Sequence, residues 1–200
     1  MKDFYQSRYR SAAAPNQLPW HRETIPPHLA AAVAQQTPGR VLDIGCGTGV
    51  YATYLAELGW NVTALDFVPT ALNMAQERAN EKGVIINFVE ADVLEWKADG
   101  KFELILDAGC FHGFANNQRQ VYKQRLLNWL APQGKFVLTH FVRRSVFDWR
   151  PVGPRRRTRT EINHFFAPEL VERSYWDNVI PATLPVGPTV KIGYYLFDGV

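Results

Sequence analysis

Cysteine is scarce in this chain. Cys46 and Cys110 are the only two, so no disulfide scaffold is available, and a reducing compartment, the cytoplasm, is expected. Long apolar runs are missing as well. The longest run of small apolar residues, Leu29 to Ala34, is far too short to cross a bilayer, and no membrane partner is expected. The first residues, Met1 to Arg10, are polar and contain no apolar h-region, which speaks against a secretory signal. No internal repeat, low-complexity tract or His/Cys/Asp cluster at metal-ligand spacing appears, so no metal is expected. A composition break that would divide the chain is also lacking.

What remains is ordinary for one soluble domain of 200 residues, with 46% apolar and 20% charged side chains. The net charge of +3 is mild, but it is unevenly spread. Between Arg143 and Arg159 stand seven arginines and the single acid Asp148, a local +6 that leaves −3 for the rest of the chain. Such a segment is either a solvated loop or a surface for an anionic substrate or nucleic acid.

Short β-branched runs alternate with helical patterns, which predicts βαβ units and a mostly parallel sheet. Strands are expected at Val41–Ile44, Asn61–Asp66, Ile85–Val89, Phe102–Asp107 and Lys135–Val142. Tyr51, Tyr54, Leu55 and Leu58 recur at helical spacing, and Gly59 stops that helix. Pro69 opens a second helix, with Ala71, Leu72, Ala75 and Ala79 inward and Gly83 at its end. Val68 is a poor N-cap for it. Tyr122, Leu126, Trp129 and Leu130 mark a third helix, closed by Pro132-Gln133-Gly134. Thr158-Arg159-Thr160-Glu161 resembles a capping box. Late strands near Leu170–Trp176 and Lys191–Phe197, separated by Pro181, Pro185, Gly187 and Pro188, predict a final hairpin.

The strongest chemical signal is VLDIGCGTG, residues 41 to 49, directly after a buried strand and before an amphipathic helix. Gly45 permits a tight turn, and Gly47 and Gly49 let a ligand approach the backbone. The next helix presents unpaired N–H groups and its positive dipole end, which suits an anionic group such as a carboxylate. Val50 stands where a dinucleotide fingerprint needs glycine, and no Gly-Lys-Ser/Thr follows to make a P-loop. Asp66, seventeen residues beyond Gly49 at the end of the second strand, is placed to accept hydrogen bonds from two ribose hydroxyls.

With LDIGCGTG (42–49), ALDF (64–67), EADVLEW (90–96) and LILDAGCFHG (104–113) in this order, the chain resembles the class I SAM-dependent methyltransferases over nearly its whole length. That resemblance implies a Rossmann-like α/β fold: a seven-stranded, mostly parallel sheet with an antiparallel last strand and helices on both faces. It implies S-adenosylmethionine (SAM) as cofactor, with Asp43, Gly45, Cys46, Gly47 and Gly49 at its methionine end. Asp66 and Phe67 would lie at the ribose, Asp92 and Val93 at the adenine, and Asp107 beside the transferring methyl. Residues 1–40 would form a lid or cap on the core of 41–200. Trp20 is then either part of that lid over the cofactor or an aromatic that packs the segment down.

Within the class, the chain looks most like the thiopurine, thiol and tellurite-resistance methyltransferases, through Asp107-Ala108-Gly109-Cys110 and the pattern Tyr9, Arg10, Pro19, Trp20. Ala108 stands where thiopurine enzymes commonly have arginine. An Asn/Asp-Pro-Pro-aromatic segment and a Pro-Cys nucleophile are both absent, which excludes the usual base methylations. A small thiol or other chalcogen acceptor follows as the expectation. A thiol, with a pKa of about 8.5, ionises with modest help and needs no dedicated base.

Asp107 and His112 are the catalytic candidates. Cys110, His112, Arg155 and Arg159 are the candidates for substrate contact. His21, His28, His140 and His164 lack paired acids in the sequence and are not expected in the chemistry. The alternatives are an RNA or protein methyltransferase using Arg155, Arg156, Arg157 and Arg159, or a SAM-binding regulator without turnover. Nucleic acid is not the expected partner, since few aromatics beyond Phe147 and Trp149 are interleaved with the arginines. A monomer or weak dimer acting on a small molecule is expected.

Overall fold

Alternation along the strands decides the architecture. On β1 (Arg40–Ile44), Val41 packs on one side with Leu29, Ala52 and Leu55, while Leu42 and Ile44 pack on the other with Tyr122 and Leu126. β4 (Phe102–Asp107) repeats this, with Leu104 and Leu106 on the first side and Ile105 on the second. A sheet buried on both faces needs helices on both. The computed structural model, which describes residues 2–34, 36–143, 148, 155–181 and 189–200, supplies them. α2 (Pro27–Ala34), α3 (Val50–Glu57) and α4 (Pro69–Lys82) cover one face. α5 (Asn116–Trp129) and α6 (Arg159–Phe166) cover the other.

The remaining strands are β2 (Asn61–Asp66), β3 (Asn87–Glu90), β5 (Leu130–Val142), β6 (Leu170–Pro181) and β7 (Thr189–Gly199). Their order in the sheet is β3-β2-β1-β4-β5-β7-β6. β1 pairs in parallel with both β2 and β4, and only β7 runs against its neighbours. The chain moves outward from β1 to β3, then crosses back to β4. That reversal opens a crevice at the carboxyl ends of β1 and β4, the general ligand position in such sheets.

Most predicted boundaries are observed. Gly59 and Gly83 take left-handed φ of 86° and 68° behind their helices. Val68 caps α4 with no side-chain bond. Thr158 and Glu161 form the capping box of α6, with Glu161 N–H donating to Thr158 Oγ1 at 3.1 Å and Thr158 N–H to Glu161 at 2.7 Å.

Three differences have local causes. β3 begins two residues later than expected because Val84 N–H closes back on Ala79 and leaves Ile85 in solvent. Pro132-Gln133-Gly134 is an irregularity inside β5 rather than a break before it. Leu130 already pairs with Phe102, and pairing resumes at Leu104 with Lys135, with Gln133 at φ 59° between. The N-terminal region contains α1 (Lys2–Ser11) and α2, neither predicted. In α1, Asp3 in the first turn and Arg8 and Arg10 in the last complement the helix dipole. The predicted hairpin is β6–β7, with Pro185, Gly187 and Pro188 outside the described residues. Among the described residues no helix is long and apolar enough to cross a membrane.

Candidate active site

The loop after β1 forms one wall of the crevice. Gly45 and Cys46 N–H donate to Leu65 O at 2.7 and 3.0 Å, which ties the loop to the end of β2. Gly47 and Gly49 have φ of 55° and 76°, a region that suits glycine. A Cβ on Gly47 would stand 2.8 Å from the Tyr9 hydroxyl. A Cβ on Gly49 would stand 2.8 Å from Cβ of Ala75. At Gly49 the crowding atom belongs to α4, so close packing of α4 on the start of α3 explains this glycine where a ligand's approach was expected.

Three buried carboxylates line the strand ends. Asp66 accepts from Gly47 N–H at 3.0 Å and Val68 N–H at 2.9 Å, so it ties the glycine loop to the start of α4. Burial raises its pKa against these hydrogen bonds. Asp43 has a buried Oδ2 without a hydrogen-bond partner among the described residues. Burial first, then the charges of Asp107 and Asp66, push its pKa up to about 8. Asp107 differs, because its carboxylate is saturated. It accepts from Gly109, Cys110 and Phe111 N–H at 2.9, 2.7 and 3.0 Å, and from the Tyr122 hydroxyl at 2.7 Å. This side chain shapes the 108–113 loop.

Aromatic residues of the N-terminal region pack against the glycine loop and Phe67. Tyr9 is buried against Gly47 and accepts from Trp20 Nε1 at 3.2 Å. Tyr5 stands 5.2 Å from Trp20 and 6.3 Å from Phe67, ring centre to ring centre. Lys2 pairs with Asp92 at 2.7 Å, and Val93 is buried in the main core. His21 does have an acid, contrary to expectation. It meets Glu23 at 2.6 Å and Thr48 at 2.9 Å, and Glu23 also pairs with Arg78 of α4. This cluster fastens the segment before α2 to the glycine loop.

The opposite wall holds the acceptor candidates. Cys110 lies against Gly45, and burial together with Asp107, Asp66 and Asp92 keeps its thiol protonated. Cys46 is similarly held by burial, Asp43 and Asp66. His112 has a buried Nδ1 without a hydrogen-bond partner among the described residues, and burial with the nearby Arg119 charge lowers its pKa to about 4. Arg155 donates to Phe114 O at 3.0 Å and so reaches the 108–115 loop. Arg159 is brought elsewhere: it pairs with Glu172 and stacks 4.5 Å from the Tyr175 ring, which anchors α6 on β6. Arg144, Arg150, Phe147 and Trp149 lie outside the described residues.

Sequence reasoning missed Arg119, Tyr122 as a partner of Asp107, and His140. Arg119 is 4% exposed and His140 1%. The signals were present. Arg119 continues the inward stripe of Tyr122, Leu126 and Trp129 on α5, and His140 continues the inward alternation of Phe136 and Leu138 on β5. A polar residue inside an apolar stripe is the informative exception.

Strand order, the glycine loop between β1 and α3, and Asp66 ending β2 together define a class I SAM-dependent methyltransferase. Residues 41–134 match a family model described as a methyltransferase domain. A relative is 2-heptyl-1-hydroxyquinolin-4(1H)-one methyltransferase of Mycobacteroides abscessus, 32% identical, with 92% of this chain and 82% of that protein covered. The chain belongs to this methyltransferase family. Among solved structures, one described by the conversion of a disulfide bond into a thioacetal group during echinomycin biosynthesis is 25% identical, covers 98% of this chain and 91% of its own, and superposes with a TM-score of 0.77. The N-methyltransferase NodS from Bradyrhizobium japonicum WM9, in complex with S-adenosyl-L-homocysteine, shares the fold at 21% identity and TM-score 0.76, with 98% and 97% covered. The cofactor is SAM. The residues fit it: Asp43 has a buried oxygen unpartnered among the described residues, and a cationic ligand would relieve the crowding of three carboxylates.

Proposed function

We propose that this enzyme methylates a small molecule at a thiol or other chalcogen nucleophile, oxygen included, that reacts as its anion. When bound, SAM supplies a methyl group on a sulfonium, already a good leaving group, so the protein's part is placement and electrostatics. One observation carries the reading: the acceptor wall holds the buried cation Arg119 and the histidines His112 and His140, whose low pKa keeps them neutral. A desolvated positive charge favours a bound anion. Asp107, saturated by loop amides and Tyr122, is a positioning residue in this reading and takes no proton.

The sulfur side of the proposal is supported by the Asp107-Ala-Gly-Cys loop and by the likeness to the thioacetal-forming system. The oxygen side is supported by the hydroxyquinolinone methyltransferase relative. The arginine-rich segment supports neither RNA nor protein as acceptor, because Arg155, Arg157 and Arg159 are held by Phe114, Glu161 and Glu172. The lid reading of residues 1–40 is supported by α1, where Lys2 and Tyr9 meet Asp92 and Gly47 of the cofactor side. Two cysteines left free of any disulfide support a reducing compartment.

The test is a product screen by mass spectrometry with labelled SAM against thiols, sulfide, small phenols, N-hydroxy heteroaromatics, RNA and peptides. Methylated small acidic acceptors are expected. Labelled RNA or peptide would overturn the reading, and tight SAM binding with no product anywhere would favour a regulator.

A further inference from the structure

Around the ring of Phe111 the protein buries more hydrogen-bonding capacity than it uses. The Arg119 guanidinium carbon lies 4.9 Å from the ring centre, and the His140 ring lies 5.5 Å from it. His112 is 6.3 Å from His140 and packs edge-on to Phe141 at 4.9 Å. Nε and Nη2 of Arg119 are buried, and neither has a hydrogen-bond partner among the described residues. The same holds for Nε2 of His140 and Nδ1 of His112. Native interiors rarely leave such groups unfilled, because each costs the desolvation of a polar atom and, for Arg119, part of a charge. Contact with the Phe111 face accounts for the guanidinium plane but not for its N–H groups.

The tautomer of His140 sharpens the picture. Its Nδ1 lies 2.7 Å from the backbone oxygen of Phe141, which only accepts, so Nδ1 carries the hydrogen. With the ring neutral, at a pKa near 3, Nε2 is a lone pair seeking a donor. Arg119 offers only donors. Two complementary vacancies thus lie against one aromatic ring, next to the loop that Asp107 shapes at the end of β4.

We propose that Arg119 and His140 form the acceptor-recognition subsite of this enzyme, which selects a planar aromatic molecule carrying an anionic or carbonyl oxygen beside an N–H or O–H donor. Arg119 donates to the oxygen and His140 Nε2 accepts from the donor. His112 closes the far side. The subsite deepens the small-molecule methyltransferase reading and rests on it for its purpose. Its ligand preference is nonetheless measurable without turnover.

A matched series isolates each partner. 2-Quinolone carries a carbonyl beside an N–H, N-methyl-2-quinolone lacks the donor, and quinoline lacks both. Calorimetry on the full chain, with and without S-adenosylhomocysteine, should rank them in that order, with about tenfold between neighbours, as expected for one buried hydrogen bond each. His140→Phe should close the gap between the first two, and Arg119→Met the gap between the last two. Arg119→Lys should restore part of the second gap. Equal binding of the three probes to the unaltered protein would overturn the subsite even if neither variant folds, as would gaps that survive both substitutions. Ranked binding by a chain that ignores S-adenosylhomocysteine would keep the subsite and remove the methyl-transfer reading. Ranked failure alongside normal S-adenosylhomocysteine binding would do the reverse.

Discussion

The two walls of the crevice solve opposite problems. On the cofactor wall, Asp66 and the glycine loop bond to one another, and Tyr9, Trp20, His21 and Lys2 close over them in a connected set of contacts. On the acceptor wall, Arg119, His112 and His140 keep buried atoms unfilled. On the wall where SAM is proposed to bind, Asp43 keeps a buried oxygen without a partner among the described residues. In the subsite proposed above, the ligand itself would complete the acceptor wall. A preassembled wall suits a ligand of constant chemistry, and an incomplete one leaves selectivity to a few side chains.

The largest effect expected from breaking this contrast comes from the N-terminal region. Deleting residues 1–20 removes Lys2, Tyr5, Tyr9 and Trp20 together. It should leave the sheet folded, because β1 starts only at Arg40. Most turnover and part of the SAM affinity should be lost, as for an enzyme deprived of the element that excludes water. Circular dichroism, calorimetry and turnover on the same truncated protein check this, and full activity would reduce Trp20 to packing.

Next in size is Asp66→Ala, expected to weaken SAM by about 1–3 kcal/mol because a charged acceptor is lost and Gly47 is left loose. Calorimetry that finds unchanged affinity in a folded variant would take Asp66 out of the site.

A third test uses pH. The folded pKa of Asp43 lies near 8, well above that of an unfolded aspartate. Its contribution to stability is therefore complete at acid pH and is lost as pH rises through the interval up to about 8, where the native state holds more protons. SAM is cationic and favours the ionised carboxylate. Binding below pH 8 should release a proton, and affinity should rise with pH, by at most about tenfold per pH unit. Asp43→Asn should flatten the profile. A wild-type affinity that falls between pH 6 and 8 would contradict the assignment.

The smallest effect is expected at Arg159. Arg159→Gln removes the pair between the half-exposed Arg159 and the largely buried Glu172, which keeps its bond from Asn163, and should cost about 1 kcal/mol of stability. KM should be unaffected, and a large rise in KM for acidic acceptors would return Arg159 to the substrate side.

Legibility in the sequence follows the same division. Gly45, Gly47, Gly49 and Asp66 stand at fixed spacing because a turn and a strand end impose it, so the glycine loop, its tie to the end of β2 and nearly all strands could be read directly. Arg119 and His140 sit 21 positions apart on a helix and a strand, and only the packing of α5 on the sheet brings them to one ring. No local rule encodes that meeting. His21 and Glu23 were adjacent enough to read, yet their role depends on Arg78 from α4. α1 was missed because its buried side is narrow: Tyr9 is its one fully buried residue, too little for a helical stripe.

The contact between Gly49 and Ala75 has a consequence for how this fold diversifies. Each position is small because the other's backbone is close, with a Cβ on Gly49 lying 3.0 Å from Cα of Ala75. Neither can enlarge alone without prising the start of α3 from α4 and shifting the loop that α3 begins. Position 49 should therefore stay glycine, held by its φ of 76° as well as by the helix contact, and position 75 should stay small unless the helices have moved apart. The acceptor wall, across the sheet from this joint, is free to change one residue at a time.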